Sequence, residues 1–167
     1  MKRGGNRGYG DVGTRVRGLA RGSAAETMAV EPKTRPTNDS VAAFIAAVES
    51  PSRRADALAL CAMMEDVSGE PPVLWGRSIV GFGRYRYRYE SGHEGDAARI
   101  GFSPRKANLV IYIAPGFKAR PDLVAGLGKV RTSVSCLYVN RLSDVDIEAL
   151  RELLEWSLAE MRRRFPD

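Results

Sequence analysis

The segment from Phe82 to Glu90, FGRYRYRYE, alternates tyrosine and arginine with a period of two. Successive side chains of a β-strand point to opposite faces, so the alternation predicts a strand with an arginine face and a tyrosine face. The arginines suit the solvated face, and the tyrosines then point inward, beneath helices or into a pocket. A strand with one wet face is typical of an antiparallel sheet, which constrains the fold more than any other segment of this chain.

Helical and strand-like periods divide the rest of the chain into three parts. Helical stripes precede the alternating segment, at 41–48 and 60–67, and a third stripe comes after it at 147–161. Strands are predicted at 79–90, 98–103, 109–114 and 135–139, and a short helix at 122–127. Ser143 is the expected N-cap of the last helix. We therefore predict an α+β fold, in which N-terminal helices and a long C-terminal helix pack on an antiparallel sheet of about five strands.

The N-terminal region differs in composition from the rest of the chain. Residues 1–27 contain six basic and two acidic residues, many glycines and no hydrophobic period. We predict a disordered basic tail over residues 1–36 and a single domain over 37–165. Met28 is then the natural start, with 1–27 an upstream extension of the reading frame. An RNA-binding arm and a targeting peptide are the alternatives, and the second lacks an apolar core segment.

Charge and cysteine usage limit the classes of partner. Most of the net charge of +6 falls within residues 1–27, so the folded part is nearly neutral and we expect it not to bind nucleic acid. The sequence contains no run of about 18 apolar residues, so it predicts no membrane-spanning helix. Two cysteines, Cys61 and Cys136, are too few for a disulfide-dependent secreted fold, which favours the cytoplasm.

Several catalytic and metal-binding motifs are incomplete. His93, Glu94 and Asp96 share one turn, but the chain has no second histidine and no Cys-x-x-Cys pair, which favours a solvent-exposed turn over an ordinary zinc site. The segment Gly126-Leu-Gly-Lys129 resembles a phosphate loop, yet valine follows the lysine where Walker A needs serine or threonine. Cys136 as a nucleophile needs a neighbouring base, and only His93 is available.

The inward tyrosines and the loop around Lys129 form the favoured candidate site. If they converge, the loop places positive charge at the rim of an aromatic pocket, which suits a phosphorylated or carboxylated ligand. The residues expected to bind the ligand are Tyr85, Tyr87, Ser103, Arg105, Lys129 and Arg131.

Three long segments resemble a known family. WGRSIVGFGRYRYRYESGHEGD, GFSPRK with LVIYI, and GKVRTSVSCLYVNRLSDVD are similar to the YdhG-like domain family, a domain of unknown function, and the resemblance covers residues 37–163. It implies a small bacterial cytosolic α+β domain whose fold has been compared with frataxin, an iron-binding protein. It implies no established set of catalytic residues.

The function that we expect is a non-enzymatic module that binds a small anionic ligand or a protein partner. The alternative is a frataxin-like iron carrier, with Asp144 and Glu148 sharing a helical face at i, i+4. Arg141 and Arg151 stand near these carboxylates and weaken that alternative. An enzyme that uses Cys136 comes third. The ligand, the cofactor and the oligomeric state stay open, and iron is the cofactor only of the iron-carrier alternative.

Overall fold

The computed structural model describes residues 34–167. The prediction for Met28, and that for residues 1–33 of the basic tail, therefore lie outside the described residues. The helices are α1 (Val41–Ala46), α2 (Pro51–Ser68), α3 (Pro121–Ala125) and α4 (Ile147–Arg164). The strands are β1 (Val73–Trp75), β2 (Ile79–Phe82), β3 (Tyr85–Arg88), β4 (Glu94–Ala97), β5 (Ile100–Pro104), β6 (Leu109–Tyr112), β7 (Val130–Thr132) and β8 (Cys136–Val139). No helix among these residues is long and apolar enough to cross a membrane.

The strands form one large sheet and one small ribbon. Six strands pair in the order β1-β2-β5-β6-β8-β7, and β3 pairs with β4 in a separate two-stranded ribbon. Every pair is antiparallel. The α+β prediction, with an antiparallel sheet and a long C-terminal helix, is confirmed. The expected five strands are too few because the three-residue strands β1 and β7 are too short to show a period.

The six-stranded sheet has two unlike faces. One face carries the large apolar side chains of every central strand, and these pack with α2, α3 and α4 in the hydrophobic core. The register places Val80, Phe102, Ile111 and Leu137 in one row across that face. The opposite face, which we call the outer face, carries the row Gly81, Gly101, Tyr112 and Cys136.

Local capping explains where the helices begin and end. The hydroxyls of Ser40 and Ser50 accept hydrogen bonds from the N–H groups of Ala43 and Arg53 in the first turns of α1 and α2, as serine caps usually do. Gly69 ends α2 in the left-handed conformation. The N-cap of α4 is Asp146, whose carboxylate accepts from the Ala149 N–H at 3.0 Å, so the expectation of Ser143 is wrong. Ser143 lies in a short 3-10 turn that precedes the helix.

The predicted strand over 79–90 is two strands separated by a turn. Gly83 has φ of 68°, a conformation that a side chain would disfavour, and there the chain leaves β2 and starts the ribbon. The SGHEGD segment, expected to be a turn throughout, is a turn only in its first half, and Glu94 begins β4. The alternation itself is confirmed: Tyr85 and Tyr87 are half-buried on one ribbon face, whereas Arg86 and Arg88 are exposed on the other.

The lead-in to α1 also belongs to the folded part. Gly76 N–H donates to the Arg35 carbonyl at 2.7 Å, and Thr37 N–H donates to the Leu74 carbonyl at 2.8 Å. Pro36 forms an isolated bridge with Trp75. The fold therefore includes residues before the expected boundary at 37, because the edge of β1 offers unpaired backbone groups.

Arg99 attaches the ribbon to the end of α4. It is only 5% exposed and is the one charged residue that is buried in the described part of the chain. Its guanidinium donates to the Arg84 carbonyl at 3.0 Å, to the Phe165 carbonyl at 2.8 Å and to the Asp167 carboxylate at 2.5 Å. The first two bonds join the start of the ribbon to the C-terminal end of α4.

We expect Leu154→Ala to lower the free energy of unfolding by about 2–5 kcal/mol, because it leaves a cavity between α4 and the sheet. Leu154 is fully buried. Leu58→Ala is the matched control, since Leu58 is 55% exposed on α2 and its loss should change stability by no more than about 0.5 kcal/mol. Urea unfolding measures both, and equal effects would contradict the assigned core.

We expect Arg99→Met to cost about 1.5–3 kcal/mol, because it leaves the Arg84 and Phe165 carbonyls without their donor. Asp167→Asn should cost less than about 0.5 kcal/mol, since the Asp167 side chain is 96% exposed and solvent screens the pair. Urea unfolding of both variants separates the two contributions. A larger loss in Asp167→Asn would show that the ion pair, not the carbonyl bonds, holds the ribbon.

Candidate functional site

A cavity of about 410 Å³ lies between the ribbon and the outer face of the sheet. Its walls are mostly apolar, and aromatic rings come from both sides. The sheet contributes Trp75, Ile79, Gly101 and Tyr112, and the ribbon contributes Tyr85, Tyr87, Asp96 and Ala97. The volume falls within the range of small-molecule sites in proteins, which are typically apolar clefts with a few polar groups.

The Trp75 ring lies against the sheet at Gly81, where no side chain projects. A Cβ on Gly81 would stand 2.6 and 2.7 Å from two atoms of the indole ring, so only glycine leaves room for the ring there. The indole Nε1–H is buried and has no hydrogen-bond partner among the described residues. An unpaired buried donor of this kind costs free energy.

The polar groups of the cavity are hydroxyls and one carboxylate. Burial, and after it the neighbouring Tyr89 and Tyr87, raises the pKa of the Tyr85 hydroxyl, which keeps it neutral. The Arg84 guanidinium donates to Asp96 and lowers the pKa of that carboxyl, with further contributions from Arg86 and Arg35. Asp96 is therefore ionised and already paired. The Tyr85 ring also packs on Phe165, with centroids 4.6 Å apart.

The structure does not bring the six predicted site residues around one cavity. Tyr85 and Tyr87 line the ribbon cavity, as their inward direction predicted. Lys129 and Arg131 line a separate cleft of about 400 Å³ with Asn108, Tyr138 and Asn140. The separation follows from strand order, because β7 is the edge strand and three strands separate it from β2.

Ser103 and Arg105 lie between these two places. Ser103 is 1% exposed, and its hydroxyl has no partner within the described residues. Arg105 is exposed and donates to the Tyr112 hydroxyl at 3.2 Å. Tyr112 in turn lines the ribbon cavity, so Arg105 stands behind the cavity wall and not inside it.

The iron-binding alternative finds little support in the positions of its residues. Asp144 lies in the 3-10 turn before α4, so it does not share a helical face with Glu148 and the i, i+4 argument fails. Within 34–167 no three histidine, cysteine or acidic residues lie together as a metal site would require. Glu94 and Asp96 pair with Arg86 and Arg84, so both acids that share the turn of His93 are already neutralised.

Within residues 34–167, no activating base hydrogen-bonds Cys136. It lies half-buried on the outer face opposite Tyr112, and no side chain of the described residues hydrogen-bonds its sulfur. His93 lies in the ribbon turn, where its ring stacks on Tyr89 with centroids 6.0 Å apart. The second cysteine, Cys61, is on α2, and burial raises the pKa of its thiol, which disfavours the reactive thiolate.

Trp75, Tyr112 and Ala97 were not among the predicted site residues. The register of β1 and β6 places the first two on the outer face, and three- or four-residue strands give no reliable face assignment from sequence. The signal that was available is the pair Gly81 and Gly101, which sit within predicted strands. Glycine in a strand often marks the close approach of another group.

We expect Gly81→Ala to destabilise the fold by about 1–3 kcal/mol, because the added methyl would overlap Trp75 and Ala98. Gly126→Ala is the matched control, since no atom lies within 4 Å of its added methyl and its backbone is right-handed. Thermal and urea unfolding measure both changes. Equal stability of Gly81→Ala and the native chain would mean that Trp75 does not occupy this position.

Comparison of the chain with protein-family models, curated proteins and solved structures finds no significant match. The YdhG-like resemblance and the likeness to frataxin therefore stay predictions.

Proposed function

We propose that this protein is a non-enzymatic binding module that holds a small, uncharged aromatic molecule in the ribbon cavity. The observation that carries the proposal is the cavity itself, with aromatic rings on both the sheet side and the ribbon side. Rings on opposite walls suit a flat ligand, since offset and edge-to-face ring contacts stabilise beyond the area that they bury.

The charge of the lining favours an uncharged ligand over the anionic one expected from the sequence. Among the described residues, neither lysine nor arginine lines the cavity, and the one ionised group of its wall is the carboxylate of Asp96. An anion inside would lose its hydration without gaining a cation. The cations Arg105, Lys129 and Arg131 lie outside this cavity, so they do not contribute to binding a ligand inside it.

The indole of Trp75 adds a preference for a ligand with a hydrogen-bond acceptor. Its buried N–H has no acceptor among the described residues, and Trp75 is part of the cavity wall. Because this N–H is closed to water in the free protein, an acceptor reaches it only if the indole ring shifts, and the ligand would then gain a hydrogen bond where the free protein has none. The net value of such a bond is about 0.5–1.5 kcal/mol.

Three probes of one shape test this preference: quinoline with an acceptor nitrogen, naphthalene without one, and 2-naphthoate with a negative charge. Trp75 and Trp156 are the two tryptophans, so Trp156→Phe leaves Trp75 as the fluorescent reporter of the cavity. We expect quinoline to quench Trp75 and to bind roughly threefold to tenfold more tightly than naphthalene. We expect 2-naphthoate to bind most weakly.

Ala97→Leu should fill the cavity and weaken quinoline binding at least about tenfold, because Ala97 lies opposite Tyr85 on the inward ribbon face. Ala55→Leu is the control, since Ala55 is exposed on α2. If quinoline binds equally to both variants, or if 2-naphthoate is the tightest probe, the proposal fails.

The family and the location are part of the same proposal. The three quoted segments support membership of the YdhG-like family, and two free cysteines suit a reducing cytoplasm.

A further inference from the structure

Several turns and strand ends meet at one end of the sheet. The register aligns Pro104 with Leu109, Leu109 with Val139, and Val139 with Val130. The turn between β5 and β6, the end of β8 and the start of β7 therefore lie side by side. The ribbon leaves the sheet at the opposite end, where Phe82 pairs with Ile100.

Six basic side chains gather at this end, which we call the basic end. They come from the β5–β6 turn, from β7, from the end of β8 and from the first turn of α2. They are Arg53, Arg105, Lys106, Lys129, Arg131 and Arg141. Arg53 joins the parts, since its guanidinium donates to the Asn140 carbonyl at 2.8 Å and to the Ala107 carbonyl at 3.5 Å.

The cations of the basic end have no carboxylate partners. None of the six has a carboxylate within ion-pair distance among residues 34–167, whereas the ribbon arginines Arg84 and Arg86 are both paired. Among the acids near this end, the Asp56 carboxylate accepts the Leu142 N–H at 3.2 Å, whereas the bond from Lys129 to Asp144 joins their backbone groups. Glu49 lines the neighbouring cleft with Arg53 and Arg105.

The near-neutral composition conceals this cluster. Residues 34–167 contain nineteen basic and seventeen acidic side chains, so the average charge is small. A local excess of unpaired cations still creates a positive field at one end, which decides what can approach there. The expectation that the folded part does not bind nucleic acid depends on the average alone.

The width of the basic end favours an extended partner. From β5 to β7 there are three strand spacings, roughly 14 Å. One phosphate group contacts cations only a few ångströms away, so a row of this width fits a chain of successive negative charges better than one small anion.

Aromatic and amide side chains accompany the cations. The Arg131 guanidinium stands 5.1 Å from the centre of the Tyr138 ring, on the outer face. The side-chain amides of Asn108 and Asn140 line the same cleft. Cations for a backbone, a ring for stacking and amides for base edges are the groups that hold single-stranded nucleic acid. We propose that the basic end binds the phosphate backbone of single-stranded nucleic acid, at a site separate from the ribbon cavity.

The test uses the full chain and a fluorescein-labelled oligouridine of about 12 nucleotides, a length typical of such sites. Fluorescence anisotropy gives Kd between about 50 and 200 mM salt. Lys129→Ala/Arg131→Ala should weaken binding roughly tenfold at the lower salt and reduce the slope of log Kd against log salt by about 1.4, for two lost contacts. Lys106→Ala/Arg141→Ala, at exposed positions of the same end, should behave alike.

The control removes two cations from the opposite end. Arg88 and Lys118 are exposed and have no ion pair within the described residues, so Arg88→Ala/Lys118→Ala lowers the net charge by the same amount. It should change Kd by less than about twofold, as expected for cations that contact no phosphate. Thermal unfolding confirms that each variant is folded.

Four outcomes would overturn the proposal. The first is no binding at about 50 mM salt. The second is an equal result in Lys129→Ala/Arg131→Ala and in the control, since an equal loss would assign binding to net charge and no loss in either would assign it to the basic segment 1–27. The third is displacement of the oligouridine by oligoglutamate of the same charge, which would favour an acidic protein segment. The fourth is equal displacement by inorganic phosphate, which would indicate a site for a single anion.

Discussion

The hydrogen bonds of the Arg99 guanidinium hold together the parts on which the cavity depends. This buried cation bonds the Arg84 carbonyl at the start of the ribbon and the Phe165 carbonyl at the end of α4. A two-stranded ribbon is marginal by itself in water, so its position must come from outside contacts. Arg99 supplies them, and Tyr85 packing on Phe165 adds a ring contact at the same place. Without this attachment the ribbon would not be held over the outer face, and the cavity between them would not form.

The two faces of the sheet carry different kinds of side chain. The apolar face is covered by α2, α3 and α4 and forms the core, where large side chains such as Phe82 and Phe102 are fully buried. The outer face instead combines glycines, rings and hydroxyls. Gly81 lets the Trp75 ring lie close to the backbone, and the rings of this face give both proposed sites aromatic groups. Substitutions on the outer face can therefore change binding while the helical core stays intact.

The predictions that succeeded depend on local chemistry, and those that failed depend on distant contacts. The alternation of Tyr85 to Arg88 is a property of neighbouring residues, so it predicted which side chains point inward. The turn at Gly83 is not visible in that alternation, because the bonds of Arg99 select it from a distance. Lys129 and Tyr87 were expected together since both lie in or beside strands. Their separation depends on the strand order, which no short-range pattern encodes.

The average charge of the folded part does not show how its charges are distributed. Composition predicts a neutral folded part, and the described residues do nearly balance. Yet Arg84 and Arg86 of the ribbon pair with Asp96 and Glu94, while the cations of the basic end have no acidic partners among the described residues. The two proposed sites meet at the hydrogen bond from Arg105 to the Tyr112 hydroxyl, since Tyr112 lines the cavity and Arg105 belongs to the basic end. Because this bond joins a wall of one site to a cation of the other, a ligand that moves Tyr112 should also change the position of Arg105.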